Sequence, residues 1–167
     1  KEVLHKYENW KKSIGAETIP TPQKKAVTLK DEFNIVVDQK GNGDFKTIQE
    51  AINASKSYPS KRITIFIKDG TYYEKVKVHA WNTHISFIGE SREKTIITYD
   101  DYFSKINLGR NSTFYTYTLL VEGNDFFAKN LTIKNTSGDV GQAVALTVNA
   151  NRVAFSNYTF IGNQDTL

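Results

Sequence analysis

Ala128-Lys129-Asn130-Leu131-Thr132-Ile133 and Phe155-Ser156-Asn157-Tyr158-Thr159-Phe160 line up at an offset of 27 residues, with Asn on Asn, Thr on Thr and apolar residues at the same places. A period of that length belongs to solenoids, whose coils bury their inner faces only against their neighbours. Equivalent side chains then pile into ladders, and Asn130 and Asn157 are placed to share side-chain amide hydrogen bonds. The stretch 85–89 (Ile-Ser-Phe-Ile-Gly) echoes 158–162 (Tyr-Thr-Phe-Ile-Gly) and extends the repeat backwards. A β-sandwich also supplies short strands at regular spacing, but it needs hairpins. Asp69-Gly70 is the one clear hairpin-type turn between the strand runs, which favours stacked coils.

Outward from these coils, β-rich runs recur at 63–67, 76–78, 85–88, 95–98, 114–121, 128–133, 144–148 and 153–160, with no helical period of useful length between them. Upstream, Ile35-Val36-Val37 reads as a strand ended by the turn Gly41-Asn42-Gly43. Thr47-Ile48-Gln49-Glu50 is a capping box opening a short helix with Ile48, Ala51 and Ile52 on one face. Such a helix suits a solenoid's first coil, where it covers exposed strand edges. Residues 1–33 are polar and lysine-rich, with Pro20 and Pro22 close together, and read as an extended leader before a domain over 34–167. Gln164-Asp165-Thr166-Leu167 follows a strand run directly with no capping element, so further C-terminal coils are expected to be missing.

At 167 residues, with 39% hydrophobic and 24% charged residues, the chain suits one folded domain. The formal charge of +4 is scattered over the sequence, a mildly basic solvated surface rather than a nucleic-acid footprint. Cysteine is absent, which removes disulfides, thiol nucleophiles and Cys-based zinc sites. No stretch approaches the roughly 20 apolar residues of a membrane span.

The common catalytic signatures are missing: no HExxH, no glycine-rich phosphate loop, no basis for a Ser-His-Asp triad. His5 lies in the leader, and His79 and His84 flank Trp81 in a turn; none has the partners of a general base. Three segments remain: Gly70-Thr71-Tyr72-Tyr73-Glu74, Gln142-Ala143-Val144-Ala145-Leu146, and Gly162-Asn163-Gln164-Asp165-Thr166-Leu167. In this order and spacing they resemble the pectinesterase family, marked by G-x-Y-x-E, Q-A-V-A-L and G-x-Q-D-T-L. The resemblance runs from about Phe33 to Leu167 and takes in Gly43-Asp44-Phe45, the helix and Ser112-Thr113-Phe114. Residues 97–101 and the absence of cysteine look more like bacterial members.

The resemblance implies an all-β, right-handed single-stranded parallel β-helix with a short N-terminal capping helix, and hydrolysis of methyl esters in homogalacturonan. That reaction needs a nucleophile, a proton for the departing methanol and donors for the carbonyl oxygen's developing charge. By resemblance, Asp165 is the acid and base, its pKa raised by burial and a second carboxylate, and Gln142 and Gln164 offer side-chain N–H groups to the oxyanion. Neighbouring strand residues face opposite ways, so Gln164 and Asp165 share a site only if the chain bends there. Thr113 matches a substrate-contact position. Phe114, Tyr115 and Tyr117 offer a sugar-stacking surface or ordinary packing, and Tyr72 and Glu74 read as structural, shaping the cleft wall. Taken alone, the glutamines read as ladder or corner residues and Asp165 as a turn residue.

The family's nucleophilic aspartate lies in a D-F-I-F-G segment about one coil further on, and its substrate-orienting arginine in a later L-G-R-P-W segment. Neither occurs in these 167 residues, and Leu108-Gly109-Arg110 is not a substitute, so this chain alone is expected to be inactive. No metal or organic cofactor is implied. Pectin is the expected partner, without nucleic acid or membrane, for a monomer that is secreted or periplasmic. Two other readings stay open: a noncatalytic pectin-binding or structural β-helix, and a calcium-dependent pectate lyase resting on Asp100-Asp101. The five Asn-x-Ser/Thr sequons, at Asn53, Asn111, Asn130, Asn135 and Asn157, read as products of an Asn- and Thr-rich coil composition.

Overall fold

A computed structural model describes residues 34–167, and the leader expected over 1–33 lies outside the described residues. The strands are β1 (Asn34–Val37), β2 (Ile63–Ile67), β3 (Gly70–Tyr73), β4 (Val76–Val78), β5 (Ile85–Gly89), β6 (Thr95–Tyr99), β7 (Leu119–Val121), β8 (Phe127–Asn135), β9 (Leu146–Val148) and β10 (Ala154–Ile161). All pairings between these strands are parallel, which hairpins cannot produce, and the sandwich is thereby excluded. The architecture is a parallel β-helix, wound right-handed as twisted strands require of parallel crossovers.

Three faces run along it. The first is β1-β2-β5 continued by the starts of β8 and β10, the second β3-β6 continued by the ends of β8 and β10, and the third β4-β7-β9. Register turns each face into a ladder. Ile35, Ile65, Phe87, Ala128 and Phe155 stack on the first face, Tyr72, Ile97, Ile133 and Phe160 on the second, and Val76, Leu119 and Leu146 on the third. Small Ala128 leaves room for Phe126, whose ring meets Phe87 edge-on at 5.0 Å and Phe155 at 6.1 Å. Each fully buried Ile or Phe rung contributes about 2 kcal/mol.

The corners need left-handed backbone. Asn130 and Asn157 take φ of 58° and 51° where β8 and β10 pass from the first face to the second, and the Asn157 amide donates to Asn130 Oδ1 at 2.8 Å, the expected ladder. His84, Asp125 and Arg152 take φ of 56°, 61° and 57°, each one or two residues before a first-face strand. The 27-residue repeat is the real β8–β10 register. The echo of 85–89 in 158–162 is not: β5 stacks on the start of β8, so Gly89 stands at Asn130, where a Cβ would run into the Asn130 carbonyl oxygen.

The helix α1 (Ile48–Ala54) forms with both capping-box bonds present and buries Ile48, Ala51 and Ile52. The Glu74 carboxylate accepts from the Ile48 and Gln49 N–H groups at 2.9 and 3.0 Å, and Tyr72, fully buried, donates to Lys68 O at 2.9 Å. Through Glu74 the G-x-Y-x-E segment thus anchors the capping helix, a structural role as expected. Asp69-Gly70 turns the chain from β2 to β3 without a hairpin, and Asp69 accepts from the Ser91 and Thr95 hydroxyls.

The run 114–121 is a strand only over its last three residues. Gly109–Tyr115 is a 3₁₀ helix preceded by a four-residue helix α2 (Phe103–Ile106), neither of which the strand pattern suggests. Local side-chain bonds win here: Ser112 Oγ accepts from Leu108 N and donates to Gly109 O, and Thr116 Oγ1 donates to Thr113 O.

Candidate active site

Gln142 lies just before β9 and Gln164 just after β10, on adjacent coils, and they form a parallel bridge with Ala143 N donating to Gln164 O at 3.1 Å. Bridge partners in a parallel pair point to the same side, so the two amides share one face. Asp165 takes φ of 56°, which is the bend needed next to Gln164. Its side chain is exposed, so the burial expected around the acid is not present in this chain. The Thr113 hydroxyl donates to Gln142 Oε1 at 2.5 Å, and among the described residues the Gln142 amide nitrogen has no partner. Thr113, Gln142 and Gln164 are thus brought together, with Asp165 at the adjoining bend.

Thr113 is carried on an excursion over 100–118 between β6 and β7. Phe114 and Tyr115 on its 3₁₀ helix are 68% and 49% exposed beside Thr113, while Tyr117 is half-buried. Lys75 ties the excursion down, donating to Asp101 Oδ2 at 2.6 Å and to Tyr115 O, with its ammonium 4.7 Å from the centre of the Tyr117 ring. Lys105 bonds Asp100 at 2.7 Å and Asp101 at 3.1 Å, and Tyr73 donates to Asp100 at 2.6 Å. The Lys105 and Tyr73 bonds hold the Asp100 carboxyl below its ordinary range, and the Asp100 bond raises Lys105. Both members of the acidic pair that suggested calcium are therefore neutralised by lysines. Among the described residues no three His, Cys, Asp or Glu side chains gather as a metal site.

Asn135 is the residue that sequence reasoning missed. It is 3% exposed at the end of β8, and its amide nitrogen is 2.9, 3.2 and 3.1 Å from the carbonyls of Asp101, Thr116 and Val144. Its sequon drew the eye instead, although a side chain so enclosed cannot carry a glycan. The usable signal was an Asn closing a strand run, where a buried amide can hold stray carbonyls. Other candidates fall away from the site. His79 stacks on Trp81 at 4.5 Å, and His84 faces Asp125 at 3.5 Å. A hollow of about 740 Å³ lies at the first coil between Gly41 and α1 and holds none of the site residues.

The family model for pectinesterase matches residues 34–167, and the chain belongs to the pectinesterase family. It is 44% identical over 135 residues to a probable pectinesterase/pectinesterase inhibitor of Arabidopsis thaliana, covering 80% of this chain and 23% of that protein. Pectin methylesterase from carrot superposes with a TM-score of 0.71 at 35% identity, over 77% of this chain and 39% of its own. Pectin methylesterase PemA from Erwinia chrysanthemi gives 0.72 at 28% identity, over 81% and 45%. Of these three, the Arabidopsis and carrot proteins share more identity with the chain than the Erwinia protein does. The chain spans about a quarter of the length of the curated relatives it matches.

Proposed function

We propose that the intact protein to which this chain belongs removes methyl esters from homogalacturonan outside the cell, consuming water and releasing methanol and a pectate carboxylate. The observation that carries this reading is the in-register pairing of Gln142 and Gln164 next to the Asp165 bend, in a chain of the pectinesterase family. Two amides on one face can donate to a carbonyl oxygen as it becomes an oxyanion, and fixed donors of this kind are worth about 3 kcal/mol each in rate. Asp165 supplies the proton to departing methanol and takes one from water in the second step. The nucleophile is an aspartate outside these 167 residues, so the chain by itself is inactive. No cofactor enters the reaction, and the protein acts as a monomer.

The exposed Phe114 and Tyr115 give a noncatalytic pectin-binding reading its one specific support. Product analysis on the intact protein separates the readings. With highly methylated pectin the esterase yields methanol and carboxylate in equal amounts without calcium. Unsaturated product formed only with calcium means a lyase, and polymer retention with neither product means a binding module.

A further inference from the structure

We propose that Thr113 is a positioning residue for the Gln142 amide, a role that rests on the esterase reading above. The excursion over 100–118 lengthens the repeat locally. Phe87 to Ala128 spans 41 residues, whereas Ala128 to Phe155 spans 27. It contributes no paired strand, so its seat on the coil is set by side chains and isolated backbone bonds. Asn135 holds both of its ends, through Asp101 O and Thr116 O, and holds Val144 O on the segment that carries Gln142. An amide has two N–H donors, so three carbonyls within 3.2 Å share them, and the three segments are fixed against one another.

Thr116 adds a second tie. Its hydroxyl accepts from Val144 N at 3.0 Å and donates to Thr113 O at 2.9 Å, while Phe103 N donates to Gln142 O at 2.9 Å. Residues on both sides of the Thr113–Gln142 contact are thus locked before any substrate arrives. The terminal torsion of a glutamine is soft and two-fold, so its amide needs a partner to choose an orientation. The Thr113 hydroxyl spends its single proton on Gln142 Oε1, which turns both Nε2 protons away from Thr113 and leaves them for the reacting oxygen. A hydroxyl committed in this way keeps only its acceptor lone pairs for a sugar.

The test uses the intact protein with Thr113→Val, Thr113→Ser, Gln142→Ala and the Thr113→Val/Gln142→Ala double variant, with steady-state kinetics on methylated oligogalacturonide. Thr113→Val is expected to lower kcat about 10- to 100-fold with KM within about twofold, because it disorients one oxyanion donor. Thr113→Ser, which keeps the donor, restores kcat, and in the Gln142→Ala background Thr113→Val has no further effect. A raised KM with kcat retained, or an equal loss in the Gln142→Ala background, overturns the proposal. Thr113→Ala adds no bulk and gives the same answer should valine disturb the fold. An unchanged kcat in Gln142→Ala by itself would instead remove the oxyanion reading, an outcome distinct from failure at Thr113.

Discussion

Asn157 shows how one residue type serves both backbone and side chain. Its φ of 51° is a conformation that costs most L-residues about 1–2 kcal/mol, and its amide bonds Asn130 on the coil below. Asn157→Ala is expected to destabilise the intact protein by about 2 kcal/mol in urea unfolding, roughly half from the left-handed backbone and half from the lost bonds. Asn157→Gly should lose only about 1 kcal/mol, the side-chain bonds to Asn130 and Arg92 alone; equal losses for both would remove the backbone share. This ladder was legible in the sequence because Asn recurs at the coil period. Thr113, Gln142, Gln164 and Asp165 were legible through motif spacing, and the bend at Asp165 through the alternation of strand faces. Asn135 and Lys75 were not, because their partners are backbone carbonyls and a side chain far along the chain, for which no residue pattern exists.

Between residue and fold, corners and excursions decide what the strand pattern leaves open. The corner at Asp125 gathers charges from three coils: Arg152 bonds both carboxylate oxygens at 2.5 and 2.8 Å, His84 lies 3.5 Å away, and Arg62 donates to Asp125 O at 2.8 Å. The Arg152 bonds hold the Asp125 carboxyl below its ordinary value of 3.8. A depressed carboxylate stabilises the fold above its unfolded pKa, and that contribution fades as pH falls through the folded value. The stability gap between wild type and Asp125→Asn should therefore be full at pH 6 and shrink below about pH 4. A gap constant across that range would contradict the ion pair's role. The capping helix was predictable because its box is local in sequence. The 3₁₀ helix over 109–115 was misread because alternating aromatics there imitate a strand, while Ser112 and Thr116 bond the backbone locally and turn it.

For the molecule as a whole, stacking explains why Gln142 and Gln164 meet on one face. Each coil is positioned by its neighbours, so the Gln142–Gln164 face is built by the coils present and does not wait for distant ones. On the proposed reading, Gln142, Gln164 and Asp165 supply the oxyanion donors and the acid from these coils, and the nucleophile comes from outside the 167 residues. The most direct test is methanol release from methylated homogalacturonan by the intact protein, its Asp165→Asn variant and the 167-residue chain alone. Asp165→Asn is expected to lose about 10³-fold in rate with polymer binding retained, and the short chain to release no methanol. A variant within a few-fold of wild type, or a short chain that turns over at the intact protein's rate, would contradict the assignment of Asp165 and of a nucleophile on a later coil.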